Sequence, residues 1–207
     1  ILVNESGNNA LFRSNITGSG GLTKAGANTI YLDNSNSYTG VTNIAEGILD
    51  IRDQNALGGS SLVKIEGSGQ LYLELGTNVL NSTISATPPN LYVGVNDASR
   101  TILHSNSANN TWGGDVIIDN VDNSGNWVFT SYFGTGALYT LNIDGNIYSN
   151  EEGGPGGIPA NHISTDTTLN DARLIMTAGV NAAGGVINLN GQFRDNQFGA
   201  IATPVTS

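Results

Sequence analysis

The chain has 207 residues and a formal net charge of −10, from 17 acidic side chains against 7 basic ones. That balance disfavours nucleic acid and anionic membrane surfaces as partners. With no cysteine, neither a disulfide framework nor a thiolate metal site can hold the fold or do its chemistry.

Charged residues make up only 12%, while glycine fills 28 positions and asparagine is similarly abundant. This composition agrees with a turn-rich extracellular scaffold, in which glycine serves tight corners and asparagine tolerates the left-handed region. The asparagine excess reads either as amides stacked into ladders inside coil turns or as many exposed turns. The length suits one elongated domain over residues 1–207. No apolar run reaches 18 residues, so this segment is not expected to insert into a membrane. The opening Ile1-Leu2-Val3-Asn4-Glu5 carries no secretory leader and reads as mature or excised material.

Along the chain, Ile1-Leu2-Val3 reads as an apolar strand start. Gly18-Ser19-Gly20-Gly21 reads as a corner, because it lacks the Lys-Ser/Thr and helix start that a phosphate loop needs. Residues 20–58 form the most informative unit. It opens on Gly20-Gly21-Leu22-Thr23-Lys24-Ala25-Gly26 and continues through Asn28-Thr29, Ile30 and Leu32 to Tyr38-Thr39-Gly40. It closes on Gly47-Ile48-Leu49-Asp50-Ile51 and Asn55-Ala56-Leu57-Gly58. In these positions the segment resembles the autotransporter-associated β-strand repeat. The resemblance implies a secreted or surface-exposed parallel β-helix, one segment of a longer passenger, and implies no reaction.

The residues lead to the same architecture on their own. Apolar pairs separated by one position recur at Ile30/Leu32, Leu49/Ile51, Leu71/Leu73, Leu91/Val93, Val116/Ile118, Leu141/Ile143 and Ile187/Leu189. Their spacings are 19, 22, 20, 25, 25 and 46, the last read as twice 23 with Ile163 as the missing rung. Alternation of two puts both members of a pair on one face of a strand. A repeat of this length marks stacked units too small to bury their apolar faces alone. The pattern predicts an all-β parallel β-helix, or β-solenoid, of about nine coils. The alternative is a β-sandwich, for which Asn190-Gly191 is the one Asn-Gly hairpin dipeptide.

Catalytic and metal motifs are sparse. Arg100, His104 and Asp97 form the one local group with general-base potential and read as a polar turn. Asp115, Asp119 and Asp122 offer oxygen ligands without any calcium-loop spacing, so they read as outward carboxylates. His162 has no nearby ligand partner. The cations Arg13, Lys24, Arg52, Lys64, Arg100, Arg173 and Arg194 are scattered singly. Trp112, in Asn109-Asn110-Thr111-Trp112, resembles an NNTW-type element near such repeats and reads as a structural corner residue. Residues 150–160, with Gly153-Gly154-Pro155-Gly156-Gly157, read as a flexible loop thrown out from one coil. No catalytic residue, metal site or cofactor is predicted.

Two surface readings remain. Tyr31, Tyr72 and Tyr92 each occupy the outward position between two inward residues, with Asp50 in the equivalent place, so stacking is expected to align three tyrosines on one face for lateral or glycan contact. The ends carry no capping helix, so Ile1, Leu2 and Val3 at one end and Ile201 and Val205 at the other are expected to join copies end to end. The sequence thus predicts a non-enzymatic extracellular or cell-surface structural protein, adhesive and self-associating into a filament or matrix. Its partners are other copies of itself or surface glycans. The alternative is a glycan-binding or glycan-degrading β-helix module.

Overall fold

Alternate apolar residues bring two side chains to one face of each short strand, a patch too narrow to exclude water until another strand stacks on it. The computed structural model describes residues 2–3, 7–75, 80–83, 89–94, 101–105, 109–119, 129–135, 140–150, 172–178, 186–195 and 199–200, and among them every regular element is a strand. The chain runs through β1 (Leu2–Val3), β2 (Ala10–Phe12), β3 (Leu22–Ala25), β4 (Thr29–Leu32), β5 (Thr42–Ile51), β6 (Leu62–Leu73) and β7 (Leu80–Thr83). It continues through β8 (Asn90–Gly94), β9 (Thr101–Ser105), β10 (Asn109–Trp112), β11 (Val116–Asp119), β12 (Phe129–Thr135) and β13 (Thr140–Ile143). The last strands are β14 (Ile147–Asn150), β15 (Ala172–Ala178), β16 (Val186–Leu189), β17 (Phe193–Asp195) and β18 (Gly199–Ala200).

These strands wind into a parallel β-helix. Face A stacks β1, β3, the first half of β5, the first half of β6, β8, β11, β14 and β17 in parallel. Face B stacks β2, β4, the second halves of β5 and β6, β9, β12 and β15. Face C begins later, with β7, β10, β13 and β16. The described strands therefore make seven coils and the first strand of an eighth, against about nine expected. The one antiparallel pair among the described residues joins β17 to β18. A sandwich, built from antiparallel hairpins, is not what the chain forms.

Registers correct the reading of the apolar pairs as one column. Ile30/Leu32, Leu49/Ile51 and Leu71/Leu73 stack on face B. Leu91/Val93 and Val116/Ile118 stack on face A, while Leu141/Ile143 and Ile187/Leu189 stack on face C. The spacing of 46 is a single coil, since Leu141 pairs directly with Ile187; Ile163, the supposed missing rung, lies outside the described residues. Coils lengthen along the chain: Lys24, Ile44, Ile65, Val93, Ile118, Ser149 and Asp195 follow one another on face A. The early coils need only two strands, and the later ones add a third face.

Inside lies one continuous core of Leu, Ile and Val from the three faces, with Tyr38 and Trp112 among its largest members. Trp112 is thus fully buried at the end of a face C strand, with its indole Nε1 lacking a hydrogen-bond partner, rather than at a corner. Tyr38 shares a 2.7 Å hydrogen bond with the Thr42 hydroxyl, and burial pushes the phenol up to about 12. The turn from face A to face B uses Gly26, Gly47 and Gly67 at φ of 80°, 68° and 55°, a left-handed conformation that glycine adopts without penalty. Gly47 and Gly67 sit close to the coil before: a Cβ on Gly47 would stand 2.4 Å from the Gly26 carbonyl oxygen, and one on Gly67 2.7 Å from that of Ala45.

Candidate functional site

The outward positions of face B form the best-defined polar surface among the described residues. Register stacks Leu11, Tyr31, Asp50, Tyr72 and His104 in one column. Beside it, at the residue that follows each inward apolar pair, stand Arg13, Asp33, Arg52 and Glu74. Two of the cations read as scattered singly, Arg13 and Arg52, are here brought to the same carboxylate, Asp33. Arg52 donates through Nε to Glu74 at 2.7 Å, and its Nη2 lies 2.7 Å from the same oxygen. Its other distances are 3.8 Å to Asp33 and 4.0 Å to Asp50, and Arg13 lies 3.9 Å from Asp33 on the far side.

The aromatic rings of this strip are already engaged. The Arg52 guanidinium lies 3.8 Å from the centroid of Tyr31, and the rings of Tyr72 and His104 are 4.7 Å apart. Cation–π contact of this kind favours a desolvated guanidinium against the ring face. Asp50 lies between the two tyrosines in the column and is only 2% exposed, with Oδ1 buried and without a hydrogen bond. Burial, then the nearby Glu74 carboxylate, raises the Asp50 carboxyl to about 7, against the pull of Arg52.

Tyr92 does not join this row. It belongs to face A, where its column partners are Lys64 and Ile117, because the chain changes face between Tyr72 and Tyr92. Although it points away from the main core it is only 4% exposed, in a second cluster with Leu62 and Ile117, and the Lys64 ammonium stands 5.4 Å from its ring centroid. The expectation of three aligned tyrosines therefore reduces to Tyr31 and Tyr72.

Other singled-out residues turn out to hold coils together. Lys24 is fully buried, pointing inward, and its ammonium donates to the carbonyl oxygens of Ala25 at 3.1 Å, Gly26 at 2.5 Å and Glu46 at 2.8 Å. Burial lowers its pKa and Glu46 raises it, the first effect being the larger. Asp115 accepts the Asn146 amide at 2.8 Å and donates its own amide to the Asn90 side chain at 3.2 Å. The Gln192 amide continues this ladder onto Asn146 at 3.1 Å. The calcium alternative for Asp115 thus meets a carboxylate already committed to the backbone.

A ladder of this kind at coil turns was one reading of the asparagine excess, and its positions are visible in the sequence: Gly114-Asp115-Val116, Gly145-Asn146-Ile147 and Gly191-Gln192-Phe193 each place glycine, a side-chain carbonyl and an apolar residue at the corner into face A. A second ladder runs along a strand face rather than in a turn: it links Asn188 to Asn142 at 2.8 Å and Asn142 to Thr111 at 3.3 Å on the outside of face C. Leu2 and Val3 lie in β1, paired with Lys24 and Ala25. Ile1, Ile201, Val205, Asp97, Arg100, Asp122, His162 and the loop 150–160, apart from Asn150 at the end of β14, lie outside the described residues. No group of three or more His, Cys, Asp or Glu placed to hold a metal occurs among the described residues.

Residues 22–51, spanning β3 to β5, match the family model described as passenger-associated-transport-repeat. They form an autotransporter passenger repeat. The repeat contains Lys24, Tyr31, Asp33 and Asp50, so it contributes the buried lysine and three residues of the face B strip. The repeat family is one of surface-associated passengers, and an extracellular or cell-surface location is what that family implies. Neither a curated protein nor a solved structure matches the chain.

Proposed function

We propose that this chain is a non-enzymatic β-solenoid segment of a surface-associated passenger, a rod that spaces and presents its lateral faces for adhesion. The observation that carries this reading is the unbroken stack of face A. One register column runs from Leu2 through Lys24, Ile44, Ile65, Val93, Ile118 and Ser149 to Asp195, so each coil satisfies the backbone of the next. The ion-pair cluster of Arg13, Asp33, Asp50, Arg52 and Glu74 supports a structural role, because it is paired along the outside of a sheet.

Adhesion is assigned to the lateral faces rather than to an end-to-end joint, since β18 already takes the edge of β17 at Arg194 and Asp195. Glycan binding stands second: sugar stacking on Tyr31 or Tyr72 has to displace Arg52 or His104. Antibody against the chain is expected to label intact cells that make the full passenger, and labelling only after lysis would overturn the surface reading. The purified chain is expected to release no reducing ends or unsaturated sugars from acidic polysaccharides; such products would overturn the non-enzymatic one. Electron microscopy over a concentration series is expected to show separate short rods. Long filaments would instead restore end-to-end assembly.

A further inference from the structure

The outward seam of face B carries charges that do not balance. Asp33, Asp50 and Glu74 stand against Arg52 and Arg13, and the Arg13 side chain is 78% exposed. Arg52 commits both its short contacts to one oxygen of Glu74, leaving Oδ1 of Asp33 and Oδ1 of Asp50 buried without hydrogen bonds. A buried carboxylate oxygen with no donor is tolerated when the acid holds its proton, or when a cation moves onto it.

We propose that this seam is a proton-dependent lock across three successive coils. With Asp50 protonated, Arg52 ties β5 to the end of β6 through Glu74 while stacking on Tyr31 of β4. Loss of that proton to solvent leaves a third carboxylate beside Arg52, draws the guanidinium from Glu74 toward Asp50, and loosens β5 from β6 on the outer side. The groups facing Asp50 are Tyr31 and Asp33 from the β4 coil, Arg52 just past the end of its own strand, and Tyr72 and Glu74 from the β6 coil. Arg13 lies beyond Asp33, and His104 lies beyond Tyr72.

Burial and Glu74 both favour the protonated acid, which places the release close to neutrality. Because the folded chain holds this proton more tightly than the unfolded chain, the contribution is complete in acid and lost as pH rises through about 7. Urea unfolding of the purified chain between pH 5 and 8 tests it. The wild type is expected to lose on the order of a hundredfold in its folding equilibrium constant over that range. Asp50→Asn removes the fall, Glu74→Gln moves it to lower pH, and His104→Gln leaves it in place. A fall that survives in Asp50→Asn, or no fall in the wild type, would overturn the lock. Should Asp50→Asn not fold, the Asp50 carboxyl carbon in wild-type nuclear magnetic resonance decides: titration near pH 7 supports the lock, and titration below about pH 5 overturns it.

Discussion

Lys24 points into the core at a position where its column neighbours are apolar, Ile44 and then Ile65. A buried ammonium is tolerated only when its protons are taken up, and here three carbonyl oxygens from two coils do so. The lysine thus acts as an internal cation that draws the face A to face B corner of one coil onto the next. Lys24→Met keeps the length of the side chain and removes the donors. It also removes the desolvation penalty of the charge, so the net loss is smaller than three charge-assisted bonds, about 2 kcal/mol. Urea denaturation at neutral pH measures it, and a variant as stable as the parent would show that the three carbonyls do not need the lysine.

Strands are ended and aligned by glycines whose roles differ from one residue to the next. Gly20 and Gly21 are adjacent, yet a Cβ on Gly20 would meet nothing within 4 Å, whereas a Cβ on Gly21 would stand 2.4 Å from the Val41 carbonyl oxygen of the following coil. Gly20→Ala is therefore expected to leave stability within about 0.5 kcal/mol, and Gly21→Ala to cost about 3 kcal/mol or to open the start of β3. Thermal unfolding of the two variants side by side checks the contrast; equal losses would mean that the corner yields. Sequence reading saw Gly18 to Gly21 as a corner but had no means to separate the two positions, because the discriminating contact comes from a carbonyl 20 residues away. The same limit explains Tyr92. Within the short early coils one period of about 20 residues places Tyr31, Asp50 and Tyr72 correctly, since each coil carries only two strands. Once face C appears, an apolar pair recurs on every face, and equal spacing along the chain no longer means equal position in the stack. The fold class was legible because alternation and repetition survive that change, whereas the face of an individual residue was not. The pairing of Arg52 with Asp33, Asp50 and Glu74 was legible in principle, as the residue after each inward pair is charged at positions 13, 33, 52 and 74.

For the whole molecule, the decisive property is that each coil touches chiefly the coils before and after it, so stability is a sum of neighbouring interfaces rather than one global jigsaw. Removal of a complete turn should then be tolerated where removal of part of a turn is not. Ile44 and Ile65 occupy the same place on successive coils, and Ile51 and Leu73 do so on face B. Deleting residues 45–65 joins the first half of β5 to the second half of β6, so Leu22 to Lys24 keep their partners on face A while Thr29 to Leu32 acquire Gln70 to Leu73 in place of Ile48 to Ile51. The inward Leu/Ile pairs remain opposed, and the lost material is one layer of core about 4.8 Å thick. The deleted chain is expected to keep a strand-rich circular dichroism spectrum and a cooperative, less stable unfolding transition. Deleting residues 45–55 alone leaves Ile44 followed by Ala56 and puts loop residues where the face B strand must lie, so it is expected to unfold the coils on both sides. If both deletions unfold the chain equally, its stability is global and the coils are not independent units; if both are tolerated, the register columns of faces A and B do not determine how the coils stack.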